Sequence, residues 1–485
     1  MAEEFLDAWE NGDLERASLL TTDPEAALAA LVEYRDRVHV DSLDVTPGIA
    51  NGEHVPFDID VHVAVDEIEA SWAYSSALDV QNISTGGERV TWKPEILHPD
   101  LANRDDVVLE AVKTATPLSI IDRNGAVLDA QDDTSFARIL QQLQERYASK
   151  LGEPSLEIRL VPPAGGSQKK GSTVARLSMG QPTRLKTTFD AALQRAAEDV
   201  VADRPGASAV VIQPSSGEVL AVASPSTSEM SPALEGVEAP GSVFEIVTAA
   251  ALLDSEAVSA TASVACPASA AVAGTTFENA KLPMATTGRT MADLLASSCD
   301  TGFAALSERL SNSALADTAK EVFGLGLNWQ TGIRTADGAV PEVAGADKAA
   351  AAIGRGEVRL NVLNLASVTA TVKTGAFKQP LVVDESLIGS DRARAERSLT
   401  SDIASELGDM MHRNATFGTG ASTMQGLTGD IGSMAGLATQ GSGQGAHAWF
   451  TAYSNDLAVA AVAPATGRGV DDAGEVVRAI LEAHH

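Results

Sequence analysis

Ser242 and Glu245 stand three residues apart in Pro240-Gly241-Ser242-Val243-Phe244-Glu245-Ile246-Val247, where Gly241 precedes an apolar, helix-forming run. On a helix that spacing puts both side chains on one face, within mutual reach. A serine hydroxyl is a weak nucleophile until a neighbouring base accepts its proton, and a carboxylate is one such acceptor. Other strings that suggest chemistry read as ordinary structure. Ser167-Gln168-Lys169-Lys170 has a nucleophile-base spacing but lies in a Pro/Gly/Ser/Lys loop rather than at a helix start. Lys373-Thr374-Gly375 follows the helical run Leu363–Ala370 and reads as a turn. Gly441-Ser442-Gly443-Gln444-Gly445 lacks the strand-to-helix context and the lysine of a phosphate loop, and reads as a hairpin loop. Asp122 and Asn124 have no downstream ligands at calcium-loop spacing. No metal or cofactor is implied.

The Ser242 segment resembles the nucleophile motif of penicillin-binding transpeptidases, Pro-Gly-Ser-x-x-Lys-x-x-x-Ala, with Glu245 in place of the lysine. Ala296-Ser297-Ser298-Cys299-Asp300-Thr301-Gly302-Phe303 resembles the family's Ser-x-Asn segment. Ser298 matches its serine, and Asp300 replaces the asparagine with an acceptor-only carboxylate. Gly436-Leu437-Ala438-Thr439-Gln440, followed by His447–Tyr453, resembles the Gly-Lys-Thr-Gly-Thr strand and its successor. There Leu437 and Ala438 replace the lysine and threonine that hold a substrate carboxylate, and Thr439 replaces a glycine. In the family the serine is acylated by a D-Ala-D-Ala peptide or a β-lactam, with help from the lysine. Loss of a base alone costs about 10²–10⁴ in rate. Glu245 and Asp300 also bring negative charge where a carboxylate and an oxyanion would sit.

The frame survives while the reactive side chains are replaced, so the resemblance implies a class B penicillin-binding protein that is catalytically degenerate. The expected role is a noncatalytic scaffold or regulator in peptidoglycan synthesis, with cell-wall or division proteins as partners. Two other readings compete. One is an active D,D-transpeptidase acylated at Ser242, with Glu245 as base and Arg289 or Lys281 supplying the missing charge. The other is a sensor that binds a muropeptide or β-lactam without turnover. Relatives often carry cysteine near Val264-Ala265-Cys266-Pro267, and an even count permits a Cys266–Cys299 disulfide; two free buried thiols are the other reading.

Three segments must position these residues. Residues 1–108 open with Phe5, Leu6 and Trp9 at helical spacing, and Asp23-Pro24 starts a second helical run. Alternation from Val55 through Phe57, Ile59, Val61 and Val63 to Val65 predicts a half-buried antiparallel strand, and Trp72/Tyr74 and Val90/Trp92 suggest more. With Trp92-Lys93-Pro94-x-x-Leu97-His98-Pro99, this segment resembles the cone-shaped NTF2-like domain of class B proteins, a spacer or partner surface. Residues 109–180 resemble the pedestal region. There Leu118–Leu128 predicts strand, Asn124-Gly125 turn and strand, followed by a helix over 133–150 capped by Asp133 or Thr134. Residues 181–485 resemble the transpeptidase domain, a central antiparallel sheet flanked by helices. The expected fold class is therefore multidomain α+β.

The chain of 485 residues carries 35 basic and 66 acidic side chains, a formal charge of −31. That balance argues against sequence-independent nucleic-acid binding, which needs clustered Lys and Arg, and against a basic lipid-binding patch. No window approaches the ~18 consecutive apolar residues of a membrane helix. Family members usually carry a membrane helix before this point. The expectation is an ectodomain with an added start methionine, anchored on the extracytoplasmic face by an N-terminal helix absent from this chain, with His484-His485 a tag remnant.

Overall fold

The computed structural model describes all residues except 84–86, 105, 115–117, 131–133, 153, 164–170, 181–182, 226–229, 280–285, 440–444 and 485; for 286–288 and 439 it describes the backbone alone. Ser167–Lys170, Lys281, Gly441–Gln444, Asp133, His485 and the Thr439 side chain thus lie outside the described residues. The chain forms two compact units, residues 1–118 with 146–183 and residues 119–145 with 184–485, so the segment 109–180 divides between them.

In the first unit, α1 (Ala2–Glu10), α2 (Leu14–Leu19) and α3 (Pro24–Val38) precede a four-stranded antiparallel sheet of β1 (Val40–Pro47), β2 (His54–Val65), β3 (Ile68–Ile83) and β4 (Gly87–Val90), in that order. Asp23 caps α3, accepting from the Ala26 amide at 3.1 Å, with Pro24 in the first turn where a missing N–H costs nothing. The alternation in β2 buries Val55, Phe57, Ile59, Val61 and Val63 against Phe5, Leu6, Trp9 and Tyr34. Trp72 and Tyr74 share β3, and β4 ends at Val90, two residues before Trp92.

Along the chain follow β5 (Val108–Thr114), β6 (Ser119–Ile121), α4 (Ser135–Leu151), β7 (Ser155–Val161), β8 (Ser172–Ser178) and β9 (Arg184–Lys186). β5, β7 and β8 make an antiparallel sheet of the first unit. The Asn124-Gly125 turn forms, with Gly125 at φ 95°, yet the expected hairpin shrinks to a single Ile121–Val127 bridge. β6 also pairs in parallel with β9, and within the turn Asp122 binds the amides of Asn124 and Ala126 at 2.8 Å each. Thr134 caps α4, its hydroxyl accepting from Ala137 at 3.1 Å.

The second unit continues with α5 (Ala191–Ala202), β10 (Ser208–Gln213), β11 (Glu218–Ala223), a 3₁₀ turn (Gly241–Phe244) and α6 (Glu245–Asp254). Then come β12 (Ser263–Cys266), β13 (Ser269–Val272), β14 (Thr275–Glu278), β15 (Thr286–Thr290), α7 (Met291–Ala296), α8 (Asp300–Leu306), α9 (Ala314–Glu321) and α10 (Gly345–Ala352). The last elements are α11 (Val362–Thr374), α12 (Ser401–Phe417), α13 (Ala421–Met424), β16 (Ile431–Thr439), β17 (Ala446–Ser454), β18 (Leu457–Pro464) and α14 (Asp471–His484).

The central sheet has the order β11-β10-β18-β17-β16 and is antiparallel throughout. β10 and β18 are apolar without alternation, as strands buried on both faces must be. On one face Ala448, Phe450 and Ala452 of β17 pack against Val476, Val477, Ile480 and Leu481 of α14 and Leu193 and Ala197 of α5. On the other, Thr451 hydrogen-bonds Thr369 of α11 at 2.6 Å. Lys373-Thr374-Gly375 closes α11, with Gly375 left-handed at φ 77° and the Lys373 ammonium paired with Asp430.

Phe450 is fully buried between sheet and α14. Phe450→Ala is expected to cost about 3–5 kcal/mol, seen in urea titration as a lower midpoint for the transition of the second unit alone.

Candidate functional site

The 3₁₀ turn eclipses side chains at i and i+3, so Ser242 and Glu245, the first residue of α6, share a face as expected. Gly241, at φ 63°, makes the turn possible. A Cβ on it would lie 2.4 Å from the Leu437 carbonyl oxygen, so β16 lies directly against the serine turn. The Gly241 amide donates to the Gly354 carbonyl at 3.0 Å. That fixes the loop between α10 and α11 on the other side. A Cβ on Gly354, also left-handed at φ 65°, would sit 2.1 Å from the Gly241 oxygen. Only glycine fits at these two points, through conformation and through space.

Three of the singled-out side chains meet. The Ser242 hydroxyl donates to Asp300 Oδ1 at 2.7 Å. Asp300 opens α8, and its Oδ2 accepts from Arg355 Nη2 at 2.5 Å. Ser242 is 4% exposed, and Glu245 and Asp300 are fully buried. Neither Glu245 carboxyl oxygen finds a donor among the described residues. Burial, and then the adjacent Asp300, push the Glu245 carboxyl well above the usual carboxylate range. Asp300 is also raised by burial, opposed by Arg355 and by the Ser242 hydroxyl. The stable arrangement has one proton on Glu245, which donates to a charged Asp300 held by Arg355 and Ser242.

Ser298 lies apart from this network. Its hydroxyl donates to the Ala435 carbonyl at 3.1 Å and lies 3.2 Å from the Thr419 hydroxyl, tying the second motif to β16. Its backbone sits at φ 48°, a left-handed position uncommon for serine. Leu437 and buried Ala438 lie on β16, the edge strand, opposite Ala448 and His447 of β17. Cys266 of β12 and Cys299, just before α8, form a disulfide. Arg289, a candidate for the missing charge, pairs opposite Val264 and acts on Asp293 instead.

Two site residues escaped the sequence reading. Arg355 is the cation that the described residues bring to the site; the signal was a basic side chain between two glycines in Ile353-Gly354-Arg355-Gly356-Glu357. His447 pairs with Glu238 at 2.5 Å, joining β17 to the chain entering the serine turn. The carboxylate of Glu238 raises the His447 imidazole above its ordinary value, against the effect of burial.

A serine at the head of a helix, beside the edge strand of a five-stranded antiparallel sheet with helices on both faces, defines the serine transpeptidase class. The family model for the penicillin binding protein transpeptidase domain matches residues 207–482, more than half of the chain, and the chain belongs to that family. Solved structures share the fold. Penicillin-binding protein 2 of Pseudomonas aeruginosa superposes with a TM-score of 0.61 at 20% identity, covering 76% of this chain and 96% of that one. For penicillin-binding protein 3 of Mycobacterium tuberculosis the values are 0.60, 19%, 77% and 96%. The penicillin G acyl-enzyme complex of penicillin-binding protein A from M. tuberculosis gives 0.54, 22%, 63% and 81%. No match is found among curated proteins. No helix among the described residues is long and apolar enough to cross a membrane.

Arg355→Ala leaves the buried Asp300 charge uncompensated. Because the arginine side chain is 36% exposed, the expected loss is at the low end for such a pair, about 2–3 kcal/mol. Asp300→Asn in the same chain should recover most of it, read as coupling in a double-mutant cycle by chemical denaturation. The His447–Glu238 pair has the opposite linkage to a paired carboxylate. A raised imidazole stabilises the fold fully below its ordinary value of 6.5, and that contribution fades as pH rises through the raised folded value. Glu238→Gln should therefore flatten the fall in stability above pH 6.5, measured by thermal melts from pH 5.5 to 8.5.

Proposed function

We propose that this protein is a noncatalytic penicillin-binding-protein homologue, a scaffold or regulator in peptidoglycan synthesis on the extracytoplasmic face of the membrane. In this reading an N-terminal helix anchors it, and an NTF2-like N-terminal domain serves as spacer or partner surface toward cell-wall or division proteins. One observation carries the proposal: the Ser242 proton is held by Asp300, whose other oxygen is already bound by Arg355. Among the described residues no ammonium lies beside the nucleophile. The cation of the site is committed to an internal carboxylate rather than free for a substrate's. Leu437 and Ala438 offer no charge or hydroxyl from the strand that would bind a terminal carboxylate.

The 2.7 Å Ser242–Asp300 contact also favours one specific rival. An acylating enzyme built on this site would use Asp300 as proton acceptor, not Glu245, which has its own proton to keep. Asp300 would then accept the serine proton as the hydroxyl oxygen attacks a β-lactam carbonyl. The negative tetrahedral oxygen would form beside two carboxyl groups, which opposes it.

Incubation with a fluorescent penicillin and intact-protein mass spectrometry decides between them. The expected result is no adduct on the wild type, indistinguishable from Ser242→Ala. A stoichiometric adduct on the wild type that Ser242→Ala abolishes would establish the rival.

A further inference from the structure

Four chain segments converge on the buried carboxyl groups. The serine turn contributes Ser242, α6 contributes Glu245, α8 contributes Asp300, and the loop between α10 and α11 contributes Arg355. Among the described residues, Asp300 and Arg355 are the charged groups that act on Glu245. Charged groups on the neighbouring helices α6, α7, α9 and α12 have partners elsewhere. Asp293 of α7 pairs with Arg413 of α12, Glu321 of α9 and Asp254 of α6 pair with Arg397, and His412 of α12 bonds the Ile431 carbonyl.

Among the described residues, one guanidinium therefore faces two fully buried carboxyl groups. With one proton present the arrangement is neutral: Ser242 and Arg355 donate to Asp300, and a proton on Glu245 relieves its repulsion with the adjacent Asp300. With that proton gone two carboxylates face one cation, Glu245 has no donor, and the buried charge is uncompensated. Relief requires the Asp300 end of α8 or the Arg355 loop to move toward solvent. Arg355 is already 36% exposed and lies in a loop between two helices, so it is the part that can leave.

We propose that the vestigial active site is a one-proton clasp: while Glu245 is protonated, the Ser242–Asp300–Arg355 bridge holds the 353–357 loop and the head of α8 against the serine turn, and ionisation of Glu245 releases them. The clasp is a regulatory device, a site that opens as its surroundings become less acidic. It rests on reading the network as structural rather than catalytic, and penicillin labelling tests that reading separately.

The sign follows from proton linkage. Opening releases a proton, so the opening constant rises with pH, up to tenfold per unit between the carboxyl's exposed and buried values. Hydrogen–deuterium exchange followed by mass spectrometry, from pH 5 to 9 and corrected for intrinsic exchange rates, reads this directly. In the wild type, peptides covering 353–357 and 298–302 should exchange at least about tenfold faster at the alkaline end. Peptides from β10 and β18 should stay protected throughout. Glu245→Gln, which cannot ionise, should hold both segments at the protected level at every pH. Asp300→Asn removes the anchor of Arg355 and should leave the 353–357 loop fast and independent of pH. The infrared band of a protonated buried carboxyl should be present in the wild type at neutral pH and absent from Glu245→Gln. Wild-type exchange that is flat across the range overturns the clasp, even if neither variant folds. So does a pH-dependent rise that Glu245→Gln retains.

Discussion

Much of the catalytic-like unit turns on how a dry space tolerates charge. Two acidic side chains, Glu245 and Asp300, are fully buried at the head of two different helices, with a single guanidinium among the described residues to answer them. In water two carboxylates near an arginine are unremarkable. Out of water an uncompensated carboxylate costs several kcal/mol, so the group keeps its proton instead. That rule assigns the proton to Glu245, the charge to Asp300, and the serine hydroxyl to the role of donor. The Ser242 hydroxyl is part of an internal hydrogen-bond network.

The frame around the network is held by contacts that do not involve these side chains. Gly241 and Gly354 let the serine turn touch both β16 and the 353–357 loop. Ser298 fastens the second motif to the Ala435 carbonyl, and Asn414 of α12 fastens the end of α7 by donating to Ala296 at 3.0 Å. The Cys266–Cys299 disulfide, spanning 33 residues, ties β12 to the residue before Asp300. In the chain-entropy description a closed loop of that size contributes about 4 kcal/mol. Backbone geometry and a covalent link thus hold the three segments together independently of the side chains at Ser242, Glu245 and Asp300.

The N-terminal unit is organised by simpler means. Its α3 cap and the alternation of β2 are local rules, and the core they form around Trp9, Tyr34 and Phe57 is apolar. Polar tips inside it find partners: the Tyr34 and Tyr74 hydroxyls are 2.8 Å apart, and Tyr74 donates to the Leu97 carbonyl. Burial raises both phenols, so neither ionises under ordinary conditions.

The sequence by itself determined the local elements and the family frame. Asp23-Pro24 starts a helix because a carboxylate can cap it and proline fits its first turn. Val55–Val65 is a strand because period two puts its apolar side chains on one face. Ser242 and Glu245 share a face because three residues make nearly one turn. What only the tertiary structure decided were pairings across long sequence distances. Ser242 and Asp300 are 58 residues apart and Asp300 and Arg355 are 55 apart, distances over which no periodicity carries information. The Asn124-Gly125 turn shows the same limit: the turn formed by local rules, but β6 found its partner in distant β9. Glu245 was legible as a replacement and not as a proton carrier, because its protonation depends on which charges the fold brings beside it and on the exclusion of water.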